Sequence, residues 1–153
     1  MAKTRTVTET ERDRFGNVLA SLDRADEVIA SDDVYAEVRY SNDSAHWILG
    51  RTTSIVVRAG SPSGPVLRSR SGDYDAQGEL VAIHVDTGTG VATSTLGYDT
   101  FGNLVHVETP PNETGQSQTY DVTFDPEIAT YPIATRDGFG YTSTAQYDLR
   151  YGA

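Results

Sequence analysis

The sequence contains no cysteine and no apolar run of about 18 residues, and each absence excludes a structural class. Without cysteine, no disulfide can stabilise the chain. Without a long apolar run, no segment is predicted to span a membrane. The first residues also lack the apolar core of a secretory signal, so no signal peptide is predicted.

Basic residues are scarce in the second half of the chain. The formal net charge of the whole chain is −10. Residues 1–70 hold ten acids and ten bases, whereas residues 71–153 hold twelve acids and two bases, Arg136 and Arg150. Nucleic-acid binding requires a basic face that neutralises phosphates, so no nucleic-acid partner is predicted. We assign the acidity to solubility and to the protection of sheet edges.

The composition favours β-structure, and no segment shows helical periodicity over a useful length. Nine Tyr and 14 Gly accompany abundant Thr and Val, which are residue types of strands and tight turns. We expect a single region, 1–153, in which 1–65 is less regular and 66–153 consists of regular hairpins. Alternation predicts strands at 4–11, 18–22, 34–40, 54–58, 66–75, 79–86, 91–99, 103–109, 118–124, 131–135 and 141–147, with an acidic loop at 23–33 and an apolar segment at 46–50.

Tyr-Asp pairs begin at residues 74, 98 and 120, and intervals of this size accommodate one hairpin per repeat. In such a unit Tyr supplies apolar area at a strand end, Asp accepts backbone N–H bonds in the turn, and Gly allows positive φ. A single hairpin is unstable alone, whereas stacked hairpins support each other. The residues predicted to build these turns and repeats are Gly16, Tyr74, Asp75, Gly78, Tyr98, Asp99, Gly102, Asn103, Tyr120, Asp121 and Gly140.

Three segments resemble the YD repeats of bacterial Rhs proteins and toxin complexes: Tyr74–Leu80, Tyr98–Leu104 and Arg12–Val18, the last with Arg12 in place of Tyr. The closing series, from Thr123 to Gly152, resembles the B subunit of bacterial insecticidal toxin complexes. It runs through Phe124-Asp125-Pro126, Asp137-Gly138-Phe139-Gly140 and Tyr147-Asp148-Leu149. The resemblance covers most of residues 12–152, although this chain is far shorter than a whole B subunit.

The resemblance implies an all-β fold of stacked antiparallel hairpins, a curved YD-repeat sheet that forms part of a hollow shell. In that family the shell closes with a C subunit and encloses a cytotoxic cargo domain until delivery. The implied partners are therefore other YD-repeat segments or a C subunit with its cargo, within a secreted particle. Because a piece of such a sheet has exposed edges, we also expect self-association through them.

Catalytic and metal-binding alternatives have less support in the sequence. His84 and His106 with nearby acids could bind a metal, but histidines on strands are more often exposed pairing residues. Asp86-Thr87-Gly88 is similar to the catalytic triplet of aspartic proteases, yet that chemistry needs a second carboxylate motif, which the chain lacks. We therefore predict no catalytic residue, no cofactor and no resident metal. The Asp-rich turns lack the spacing of known calcium loops.

The tyrosines allow a second hypothesis from another class. Tyr74, Tyr98, Tyr120 and Tyr147 could form a ladder that stacks on sugar rings, which would make the chain an extracellular carbohydrate- or surface-binding module. They could equally be the stacking spine of the sheet. Repetition at the structural period favours the spine.

Overall fold

The computed structural model describes residues 7–26 and 28–151, so the part of the first predicted strand before Val7 lies outside the described residues. This part of the chain contains strands and turns but no helix, and hence no helix that could cross a membrane. The prediction of an all-β fold of antiparallel hairpins is confirmed. The strands are β1 Val7–Arg12, β2 Val18–Arg24, β3 Val34–Asp43, β4 Ile48–Ala59, β5 Val66–Tyr74, β6 Leu80–Asp86, β7 Val91–Tyr98, β8 Leu104–Glu108, β9 Thr119–Phe124, β10 Pro132–Asp137 and β11 Thr142–Thr144.

The chain divides into two compact units. The first unit contains the described residues up to Gly72 together with Val85–Gly90, and the second contains Asp73–His84 and the described residues from Val91 onwards. In the first unit, β1 to β5 pair antiparallel in chain order. In the second unit, β7 to β11 do the same. Each unit is therefore a meander of hairpins.

Neither unit has a buried apolar core of the usual kind. In the described residues Ala20 is the only buried hydrophobic residue and Asp125 the only buried polar one. The other strand residues are half-buried or exposed, and β4 is half-buried along nearly its whole length. Sheets are normally stabilised by apolar area removed from water on at least one face. In this fold, the hydrogen bonds of the strand ladders and turns must therefore contribute an unusually large share of the stability.

Several strand ends differ from the prediction by a few residues, and two of the differences have an evident structural reason. Residues 48–50 of the predicted apolar segment and the predicted strand 54–58 belong to one long strand, β4, which crosses Gly50 at φ +75°, whereas His46 and Trp47 lie in the turn before it. Register shifts in β3 absorb this irregularity, and Asn42 Oδ1 accepts a bond from Gly50 N at 2.7 Å. The last predicted strand, 141–147, ends at Thr144 because the chain turns away from β10 soon afterwards.

Gly102 occupies a turn that only glycine fits without strain. Its φ is +82°, in the left-handed region that side chains with a branched Cβ rarely adopt. A Cβ at this position would also lie 3.2 Å from Glu79 Oε1 in the preceding turn of the same unit. Gly16, Gly78 and Gly140 have similar positive φ values of 88°, 91° and 88°.

We expect Gly102→Val to destabilise the fold by about 1–3 kcal/mol, since a β-branched residue is strained at positive φ. Gly90→Val is the matched control, because Gly90 does not have positive φ and has open space where its Cβ would stand. Gly102→Asn should fall between them, since Asn tolerates this region. Thermal melting checks the order, and a Gly102→Val protein that melts with the wild type would contradict the strain at this turn.

Candidate structural site: the carboxylate-closed turns

The turn after β7 shows how one carboxylate closes a hairpin. Asp99 Oδ1 accepts bonds from the N–H groups of Phe101 at 2.8 Å and Asn103 at 3.0 Å, while Oδ2 accepts one from Asn103 Nδ2 at 3.0 Å. The backbone adds bonds from Asp99 N to Asn103 O and from Gly102 N to Asp99 O. Four of the five backbone N–H groups of the turn, those of Asp99, Phe101, Gly102 and Asn103, thereby have a partner within it.

The same arrangement recurs at turns whose shared feature is an acceptor followed three residues later by glycine. In each turn, the carbonyl of the first residue accepts a bond from the N–H of the glycine. The N–H of the first residue donates to the carbonyl of the residue after the glycine. Its side-chain oxygen also accepts the N–H of that last residue, at 2.9 to 3.0 Å. These turns are Asp13–Asn17, Asp75–Glu79, Asp99–Asn103, Asn112–Gln116 and Asp137–Tyr141.

Asp125 closes a longer turn with the most heavily used carboxylate in the described residues. Its Oδ1 accepts the N–H groups of Ile128 at 2.8 Å and Glu127 at 3.2 Å, and its Oδ2 accepts those of Thr130 and Tyr131, both at 2.9 Å. The residue is only 5% exposed. Ala129 takes positive φ, +52°, where shorter turns use glycine.

Within the second unit, successive turns are joined to each other. We call the set Asp75–Glu79, Asp99–Asn103 and Asp125–Tyr131 the turn row. Tyr98 Oη donates to the carbonyl of Leu80, next to the first turn, at 3.1 Å. Asn103 Nδ2 donates to the carbonyl of Ala129, in the third turn, at 2.7 Å. Two bonds from the middle turn and the residue before it thus reach the hairpins on either side, and they connect the three turns of the row.

The row continues toward the end of the second unit through an aromatic pair. The rings of Tyr131 and Tyr147 stack with centroids 4.9 Å apart and an interplanar angle of 24°. Offset stacking at this distance is favourable beyond the area that it covers. In the first unit, Tyr40 Oη donates to Val18 O at 3.1 Å, a bond of the same kind as that of Tyr98.

The protonation equilibria reflect these bonds. Hydrogen bonds from Ile128 and then Tyr131, despite opposing desolvation, lower the pKa of Asp125 to about 2. At Asp99, desolvation raises the pKa, but the bonds from Asn103 and the turn backbone outweigh it and the net shift is downward. The side-chain bond from Asn17 is the main cause that lowers the pKa of Asp13. The turns therefore favour the ionised carboxylate.

Glu79 is the exception in the turn row. Desolvation raises its pKa, and the neighbouring charges of Asp75 and Asp99 raise it further. The same surroundings raise the pKa of Tyr98, first through desolvation and then through Glu79 and Asp75. The row thus concentrates negative charge where the hairpins meet, and this charge disfavours the ionised form of Glu79.

Two of the predicted repeat residues, Tyr120 and Asp121, lie elsewhere. They sit inside β9, and the turn that follows β9 is closed by Asp125. Asp121 stands opposite His106 on β8, whose Nδ1 lies 2.6 Å from Asp121 Oδ1. Tyr120 is 49% exposed. In the third repeat, the turn is therefore closed by Asp125, and the Tyr120-Asp121 pair lies within the preceding strand.

The three histidines each pair with an aspartate within the described residues. His46 contacts Asp43 at 2.7 Å, and His84 lies between Asp73 at 3.0 Å and Thr93 at 2.9 Å. In the described part of the chain, no group of three or more His, Asp or Glu side chains has the arrangement of a metal site. These histidines act as cross-strand or turn partners of carboxylates.

Two of the four tyrosines of the carbohydrate-binding hypothesis make internal contacts. Tyr98 uses its hydroxyl on Leu80, and Tyr147 stacks on Tyr131. Tyr120, in contrast, is half exposed. Tyr98 and Tyr147 are thus better placed to make contacts within the unit than to receive sugar rings.

No protein-family model matches the sequence, and no curated protein matches it. Among solved structures, the chain is similar to the crystal structure of TcdB2-TccC3-TEV, with 18% identity and a TM-score of 0.58 over 88% of this chain and 7% of that one. It is also similar to TcdB2-TccC3-Cdc42, with 16% identity and a TM-score of 0.53 over 95% of this chain and 9% of that one. The chain thus spans under a tenth of either neighbour. The likeness concerns the fold, and it confirms the fold that the resemblance to toxin complexes implies.

We expect the turns to lose stability in acid. Because the folded pKa of Asp125 is depressed to about 2, its contribution is full above the unfolded value, about 4, and is lost as the pH falls toward 2. Asp125→Asn should melt lower than the wild type at pH 7 and should lose less stability between about pH 4 and 2.

Melting curves at a series of pH values check this prediction. Asp86→Asn is a suitable control, since Asp86 accepts only the Gly88 N–H in an exposed turn. Parallel acid profiles for the wild type and Asp125→Asn would contradict the role assigned to this carboxylate.

Proposed function

We propose that the chain is a non-catalytic structural segment of a bacterial Rhs- or toxin-complex shell, which encloses a toxic cargo domain and helps to deliver it. The observation that carries this proposal is the turn row, because the same closed turn recurs and side-chain bonds join its hairpins. An architecture extended by repetition suits a wall. The fold likeness to TcdB2-TccC3 structures supports the same class of role.

The chemistry of the carboxylates supports a structural role. The oxygens of Asp99 and Asp125 are engaged by backbone N–H groups or by Asn103, so they are committed to the turns. A catalytic acid or base needs a free oxygen within reach of a substrate proton. The proposed partners are accordingly macromolecular: other YD-repeat segments, or a C subunit with its cargo, in a secreted particle. Self-association through sheet edges belongs to the same proposal.

The proposal is tested by producing the chain together with TccC3, the partner named in both neighbouring structures. We expect the two chains to co-purify, and we expect a cargo domain fused to TccC3 to resist added protease longer than without the chain. TccC3 alone is the control. Failure to co-purify, with cargo digestion unchanged, would overturn the proposal.

A further inference from the structure

The two outermost strands of the described chain differ in charge. β1 carries Glu9, Glu11 and Arg12 on exposed positions. β11 reads Thr142-Ser143-Thr144, fully exposed and without any charge. Charged residues are the usual protection of a sheet edge against pairing with another chain. β1 has that protection and β11 does not.

The unused hydrogen-bonding groups of β11 can be assigned from its register. Ala145 N donates to Ile133 O, and Asp137 N donates to Tyr141 O, both at 3.0 Å. In an antiparallel ladder, residues bonded to a neighbour alternate with residues whose N–H and C=O point the other way. Since the pairing is regular here, Thr142 and Thr144 direct their backbone groups away from β10. In the described part of the chain, no strand follows β11 in the sheet order.

From this edge we infer that β11 pairs antiparallel with β11 of a second copy of the chain, with Ser143 on the two-fold axis. This register sets Thr142 of one copy opposite Thr144 of the other, so that each pair can exchange both backbone bonds. The strand is self-complementary, because only small hydroxyl side chains meet across the axis. If β1 paired with itself in the same way, the glutamates of the two copies would lie close together and repel each other.

Flanking residues favour the same register. Tyr141, 77% exposed, falls opposite Ala145 of the second copy. Ala145 and Ile133 are paired in register and line a groove together with Tyr147 and Leu149. The Tyr141 ring of one copy thus covers the apolar rim of this groove in the other. Burial of exposed aromatic area adds to the backbone bonds.

The inference rests on the proposed function in one respect: it specifies which edge mediates the self-association proposed there. The interface is short and each chain carries a net charge of −10, so the dimer should be weak and should strengthen with salt. Its test involves no toxin-complex partner. If no dimer forms, the result expected for co-purification with TccC3 does not change. If the chain fails to co-purify with TccC3, the result expected for dimer formation does not change.

The absence of cysteine makes a cross-linking test direct. Ser143→Cys places a single thiol on the proposed axis, where the two side chains approach closely, and Thr10→Cys places one at an exposed position of β1. Under mild oxidation, we expect Ser143→Cys to form a disulfide dimer at least tenfold faster than Thr10→Cys. Adding Thr144→Pro removes an outward N–H and should slow the cross-link by a similar factor while melting stays close to that of Ser143→Cys.

Three outcomes would overturn the inference. Equal cross-linking rates for Ser143→Cys and Thr10→Cys would mean that β11 has no preference for itself. A rate unaffected by Thr144→Pro would mean that strand pairing is not the contact. Faster mixed dimers between the two cysteine variants would indicate a head-to-tail contact between β1 and β11.

Discussion

The fold depends on carboxylates and one amide that accept the N–H groups of their own turns. Tight turns leave backbone donors that must be satisfied by other backbone groups, by side chains or by ordered water. Here the described residues include almost no buried apolar side chain. The Asp or Asn at the start of each of these turns therefore fixes both the reversal of the chain and the register of the strands beside it. A meander with loose turns would lose register, because little packing exists to restore it.

The bonds between turns convert separate hairpins into a continuous structure. Tyr98 reaches the hairpin before it and Asn103 the hairpin after it. Both residues flank the same Asp99, so the bonds within a turn position the groups that bond between turns. The positive φ of Ala129 carries a small conformational cost. Its carbonyl, however, accepts the bond from Asn103, which offsets that cost where the third turn lacks glycine.

Much of this organisation follows from local sequence. Thr, Val and Tyr in alternation predict the strands, and the all-β prediction is correct because no competing helical pattern exists. The motif Asp-x-x-Gly, rather than Tyr-Asp, marks the turns, and it also covers Asp13 and Asp137, where Tyr is missing. Asp125 escaped prediction because Ala129 replaces the expected glycine. Bonds such as Asn103 to Ala129 join residues far apart in sequence, and no local pattern encodes them. The continuity of β4 through Gly50 likewise depends on its pairing with β3.

Hydrogen exchange of individual amides tests most directly whether carboxylates hold the turns. The amides of Asn17, Glu79, Asn103 and Tyr141 donate to the Asp that opens their turn. If those bonds persist in solution, NMR at neutral pH will show these amides protected to the level of neighbouring strand amides. Exchange as fast as that of the Ser63 amide, in the exposed loop after β4, would contradict the account.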